Sequence, residues 1–338
     1  MVKKKSIKQI IDNSFVTDKW AEYHSKDFTP KYIVYKFNDD GDNRFYFFLY
    51  EGNVEIGSGI TTPMGIVSTE RDGINRWKEL HPTNWRHLFR VSAEFGTLEH
   101  ILAGGIFLGN GVNQSILASM KEIAINNSQS GDMPVKDTLA FLKFKEDYDI
   151  EPLIVEGQLA WRCPETGQWL TLTIDLLAKM RCPMVVKTMV KDGVYKRGVN
   201  KGKPKMVEQR TTVIKERILV GDIKSNFFEK EDKSYYETHI MQLIGGVKAV
   251  EQNFNIKVDG VFNLSPKAWK TTPSYTFKEH NITQEYNDLF DIYWKLIVHK
   301  KLNIPTGSFI TTDKFKDSTD FNLKSYRKYA EEYLLNSK

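Results

Sequence analysis

The chain has only two cysteines, Cys163 and Cys182. That is too few for a four-thiolate zinc site or for an iron–sulfur cluster held by cysteine alone. A disulfide between them is conceivable, but a reducing cytosol is the simpler expectation. No stretch approaches the ~18 consecutive apolar residues that a bilayer span needs, so no membrane partner is expected. The opening Met1-Val2-Lys3-Lys4-Lys5-Ser6-Ile7-Lys8 is basic but no apolar run follows it. This reads against a secretory signal and for a cytoplasmic location. No internal repeat is visible. The nearest approach to a phosphate loop, Gly198-Val199-Asn200-Lys201-Gly202-Lys203-Pro204, is one residue short. It also has proline where a Ser or Thr should ligate Mg²⁺. No nucleotide cofactor is therefore expected, and any helicase has to be a separate chain. Oligomeric state is not legible.

What is present is ample apolar material: 41% of 338 residues are hydrophobic, enough for a large core in one elaborated domain or two. The net charge of +5 is mild, but its distribution is uneven. Residues 187–217 hold ten Lys or Arg against three acids, more than the whole-chain excess. A cationic segment of this kind suits a polyphosphate backbone. Lys196, Arg197, Lys201, Lys203, Lys205 and Arg210 are its candidate DNA contacts. The plainer explanation is a solvated basic loop.

Pattern divides the chain in three. Residues 1–90 form an accessory region whose strands include 31–37 and 44–50, joined by the turn signal Asn38-Asp39-Asp40-Gly41-Asp42-Asn43. Its aromatics read as core rather than base-stacking platforms. Residues 91–270 form the central unit, with a basic insertion at about 183–216. It opens with a helix capped by Ser92, on which Leu98, Ile101 and Leu102 share a face. Helices at 114–126 and 134–147 follow. Strands at 152–161 and 169–177 make a hairpin, and the basic segment interrupts before a third strand at 217–224. A helix at 234–253 and a strand at 256–264 complete the order helix, strand, strand, strand, helix, strand. The third strand, helix and fourth strand make a parallel crossover, and the expected fold class is α/β (α+β), a mixed sheet flanked by helices. Residues 271–338 read as a helical region, with helices near 283–302 and 321–336.

Five positions in the central unit carry polar residues where apolar ones are expected. His100 is on the apolar side of its helix, Glu156 is inside the first strand, and Asp175 ends the second. Asp222 and Lys224 follow the apolar run Ile218-Leu219-Val220-Gly221, two residues apart and so on one face. Burying such charges is costly unless they pair or bind something. Gln242 stands on the next helix beside Leu243. Each has an ordinary explanation alone: a hydrogen-bonded core histidine, a turn-closing aspartate, an ion pair at a strand end, a surface glutamine. Together they are carboxylates on neighbouring strands with one imidazole and one ammonium, and the carboxylate oxygens with the imidazole are ligands suited to Mg²⁺ or Mn²⁺.

Asp175, followed after an insertion by Asp222-Ile223-Lys224-Ser225, resembles the bipartite signature of the PD-(D/E)XK nuclease superfamily. Gly96-Thr97-Leu98-Glu99-His100 is similar to the Gly-x-x-x-His helix of its RecB-like, lambda-exonuclease-like branch. Glu156 matches a first-strand glutamate of that branch, and Gln242-Leu243 its Gln-Leu helix. The likeness covers roughly residues 92–265. Departures are Leu172, where the branch often has glycine, and Gly245-Gly246, where a tyrosine is common. The iron–sulfur cysteines are missing, so no cluster is expected.

The resemblance implies a restriction-endonuclease-like core and an Mg²⁺- or Mn²⁺-dependent deoxyribonuclease. Its metal ligands would be Asp175, Asp222, His100 and the Ile223 carbonyl, with Glu156 at a second metal or a metal-bound water. Lys224 would stand beside the attacking water, and Gln242 would position Lys224's surroundings or the scissile strand. The implied activity is that of an exonuclease in recombination, repair or phage DNA processing, leaving 5′-phosphate and 3′-hydroxyl ends. A phage-encoded copy would work in host cytoplasm, and a single-strand annealing or helicase partner is compatible with such a role. The alternatives are a structure-specific or nicking endonuclease, or an inactive DNA-binding replication or recombination factor. The basic insertion is expected to arch over the site and grip DNA.

Overall fold

The computed structural model describes residues 34–38, 44–51, 53–60, 78–79, 81–228, 232 and 235–303. The expected helix at 321–336 lies outside them. The protein is mixed α/β. Strands β1 (Tyr35–Asn38), β2 (Arg44–Tyr50) and β3 (Asn53–Gly59) form an antiparallel meander. Helices α1 (Trp85–Phe107), α2 (Gln114–Asn126) and α3 (Met133–Asp147) follow. Next come β4 (Glu151–Arg162), β5 (Trp169–Val194) and β6 (Pro204–Ile223), then α4 (Glu237–Phe254), β7 (Gly260–Pro266), β8 (Tyr275–His280) and α5 (Gln284–Asn303).

Strands β4 to β8 make a five-stranded mixed sheet in chain order. Pairing is antiparallel for β4–β5 and β5–β6, parallel for β6–β7 across α4, and antiparallel for β7–β8. The meander joins it where Ser58 and Gly59 pair in parallel with Leu170 and Thr171. Tyr46 and Phe48 are buried there, with the Phe48 ring 4.7 Å from that of Trp169, as expected of core aromatics.

Each sheet face carries its own core. Ile240, Leu243, Ile244 and Val247 of α4, with Phe290 and Trp294 of α5, cover Leu172, Ile174, Val220 and Val261. On the other face α1 and α3 bring Phe95, Leu102, Ile106, Phe141 and Phe144 onto Val155, Leu176, Leu219 and Phe262. Gly245 fits under both neighbours: a Cβ there would stand 2.3 Å from Ile60 Cδ1 and 3.1 Å from Phe290. Tight packing thus accounts for a glycine where the resemblance suggests tyrosine.

Several sequence boundaries change. Helix α1 begins at Trp85, with Asn84 preceding it, and Ser92 is interior; the apolar period already runs through buried Val91 and Phe95. Residues 256–259 are not strand, and β7 starts at Gly260. Strand β8, beyond residue 270, extends the same sheet. The largest change is the basic insertion. It is no interruption: β5 and β6 continue as one antiparallel ladder from Leu176↔Gly221 to Val194↔Pro204. Both cysteines are buried and free, so no disulfide joins them. No helix among the described residues is long and apolar enough to cross a membrane.

Candidate metal centre

The site is built where β4 and β5 both turn over. Before Asp175, the even-numbered Leu170, Leu172 and Ile174 face α4; after it, the even-numbered Leu176, Ala178 and Met180 face α1. In β4, odd-numbered Val155 faces α1, whereas Leu159 and Trp161 face α4. Alternation reverses only if a residue steps out of regular strand geometry. Glu156 is that residue: its φ is +52°, in the left-handed region that costs a non-glycine residue about 1–2 kcal/mol. Pairing holds at Val155↔Leu176 and Gly157↔Ile174 and lapses at the rung between, where Glu156 and Asp175 stand opposite each other. Both are buried. Strain of this kind persists only where surroundings over-determine it, and it concentrates at functional sites.

Helix α1 completes the group. Gly104 sits so close to β4 that a Cβ would be 3.1 Å from Val155 Cγ1. One turn earlier, His100 therefore reaches the reversed rung. Its Nδ1 donates to Glu156 Oε1 at 2.9 Å and stands 3.6 Å from Asp175 Oδ1. One ligand atom from each of His100, Glu156 and Asp175 lies within 4.8 Å of the others. Burial pulls the His100 pKa down, but the charges of Asp175 and Glu156 outweigh it and push it up to about 10. Burial also raises Asp175, against the pull of His100. The pocket thus sets two buried carboxylates against one imidazole. Two carboxylates and an imidazole fit a hard divalent cation such as Mg²⁺ or Mn²⁺, which would replace the imidazolium proton.

A second polar group adjoins the first. Asp175 Oδ2 accepts the Ile223 backbone N–H at 2.7 Å, tying β5 to the end of β6. Asp222 is buried with both oxygens engaged: Oδ1 with Lys224 Nζ at 2.6 Å, Oδ2 with Asn263 Nδ2 at 2.6 Å. The Asn263 Oδ1 in turn accepts from His280 Nε2 at 2.8 Å. Burial lowers the Lys224 pKa, but Asp222 and Asp175 more than restore it, so the amine stays an ammonium. It can donate and attract but cannot take a proton.

The predicted residues thus divide. His100, Glu156 and Asp175 converge, while Asp222 stands outside that triad and is held by Lys224 and Asn263. Ile223 meets the site through its N–H. Gln242 is half-buried on α4, one turn before Gly246, which packs on Val220. This places it over the Asp222 end of β6. Among the described residues no hydrogen bond ties it to the carboxylates. Gly96 lies against Ser225, so the Gly-x-x-x-His turn rests on the segment after Lys224.

Lys196, Arg197, Lys201, Lys203, Lys205 and Arg210 are elsewhere. Asp175 and Val194 are 19 residues apart along one strand, which at about 3.3 Å per residue is about 60 Å. The insertion leaves the sheet at the end away from the carboxylates and does not arch over them. Sequence reasoning missed Asn263 and His280. It also missed Glu99 and Asp137, two acids buried between α1 and α3. No spacing rule points to any of them. No family model matches the chain, and no curated protein matches it significantly.

Proposed function

We propose that the protein is a metal-dependent deoxyribonuclease with a restriction-endonuclease-like core, of the RecB-like kind, without an iron–sulfur cluster. One observation carries this reading: His100, Glu156 and Asp175 converge beside Asp222 and Lys224, on elements in the order helix, hairpin, strand, helix, strand. In this reading His100, Glu156 and Asp175 hold Mg²⁺ or Mn²⁺. When bound, such an ion neutralises phosphate charge and raises the hydroxide fraction of its water.

The chain's own groups supply the rest. Asp222, fixed from two sides, holds Lys224 at the mouth of the cluster. The ammonium orients a water or steadies charge developing on the phosphate, a role set by position rather than by proton transfer. Gln242 lines the same end from α4. Hydrolysis would leave 5′-phosphate and 3′-hydroxyl ends.

The test uses end-labelled linear duplex, single strand and closed circle, each with Mg²⁺, Mn²⁺ or EDTA. The expected result is loss of label from linear DNA with either metal and none with EDTA. Asp175→Asn should lower the rate at least 100-fold. Cleavage of closed circles would assign an endonuclease. A wild-type protein inert with both metals on all three substrates would overturn the reading.

A further inference from the structure

The β5–β6 arm is a two-sided ribbon. Opposed residues of an antiparallel pair share a face. Met184/Val213, Val186/Thr211, Thr188/Gln209 and Val190/Val207 line one face, uncharged over those four rungs, with Lys215 opposite Cys182 at its base. The other carries Lys187/Arg210, Met189/Glu208 and Lys191/Met206. Glu208 is drawn to both Lys187, at 3.4 Å, and Arg210, at 2.8 Å, which leaves a net positive face. The turn from Tyr195 to Lys203 adds Lys196, Arg197, Lys201 and Lys203 and no acid. All four are exposed, and among the described residues none of them makes an ion pair.

Cations gathered at the far end of the arm, about 60 Å along the strand from the carboxylate cluster, lie many screening lengths from it. In a nuclease, a partner that meets both places has to be extended. We propose that the arm is a distal grip for duplex DNA: its cationic face and tip bind the sugar–phosphate backbone well away from the point of cutting. This deepens the nuclease reading and rests on it. Duplex is favoured over single strand because it stays straight over this distance, with a persistence length of about 50 nm. A two-stranded ribbon also fits the major groove, which is about 12 Å wide. At roughly 3.4 Å per base pair, the stretch from Asp175 to the tip corresponds to about 18 bp. DNA shorter than this reaches one place or the other, and longer DNA reaches both.

Binding is measured in EDTA, so the outcome does not depend on cleavage. Fluorescently labelled duplexes of 12 and 40 bp are titrated at several salt concentrations with the full chain and two variants. One combines Lys196→Gln, Arg197→Gln, Lys201→Gln and Lys203→Gln. The other replaces residues 185–212 by an Asn-Gly turn. For 40 bp, the four-fold substitution should weaken binding at least tenfold and flatten the log–log salt slope by about 3–4, since each phosphate contact contributes about 0.9. For 12 bp, which occupies only one of the two places at a time, it should weaken binding by less than half the factor seen for 40 bp. Equal losses on both lengths, or none on either, would overturn the proposal. So would a halving of solution mass on arm removal with DNA affinity intact, since the arm would then serve a second copy of the chain. Absence of cleavage by any form, with the length effect present, would fault the nuclease reading instead.

Discussion

Glu156 and Asp175 stand opposite each other at the rung where β4 and β5 both reverse their inside-outside alternation. The reversal turns two buried carboxylates toward one histidine of α1. A regular ladder would have sent the following apolar residues of both strands to the wrong layers.

The left-handed backbone at Glu156 separates stability from function. Glu156→Gly removes the side-chain clash, worth about 1–2 kcal/mol, and adds glycine's conformational cost of about 0.5–1 kcal/mol. Its urea unfolding should match the wild type to within about 1 kcal/mol, while metal-dependent cleavage falls at least 100-fold. Glu156→Val, β-branched at positive φ, should unfold distinctly more easily.

Asn263 holds Asp222 from the side opposite Lys224. Asn263→Ala leaves a buried carboxylate oxygen without its donor, at a cost of about 1–3 kcal/mol. Such supporting contacts typically govern 10- to 100-fold of activity at a metal site. Cleavage rate and urea midpoint should both fall. Asn263→Asp should fall further, because it sets a second carboxylate against Asp222.

Asp137 gives a pH signature remote from the carboxylate cluster. Burial first, and Glu99 second, raise its pKa well above the ordinary carboxylate value. The folded chain therefore holds this proton more tightly than the unfolded chain does. Its stabilising contribution is complete below the ordinary pKa of about 4 and is lost as pH rises toward the raised value. Asp137→Asn should be more stable than wild type at pH 8, with the gap closing toward pH 4. Urea midpoints across pH test this, and a constant gap would contradict it.

Helices at 114–126 and 234–253 were legible because one apolar face runs their whole length, and the observed α2 and α4 agree to within a few residues. Strand β8 was not legible. Tyr275-Thr276-Phe277-Lys278-Glu279-His280 is an edge strand that mixes charge with aromatics. The arm hid for a related reason: exposed on both faces, it carries no buried period to betray a strand, and its lysines read as loop. His100, Glu156, Asp175, Asp222 and Lys224 stood out as charges in apolar runs. The pairing among them did not, because a lapse in strand pairing at one rung leaves no trace in residue spacing. Asn263 and His280 are ordinary strand residues until the neighbouring strand supplies Asp222.

The triad's capacity for a cation is tested most directly by Mn²⁺ titration followed by electron paramagnetic resonance, with wild type, His100→Ala and Asp175→Asn compared at one pH. Uptake by the wild type, weakened at least tenfold in each variant, is the predicted result. Identical Mn²⁺ binding in all three would contradict it.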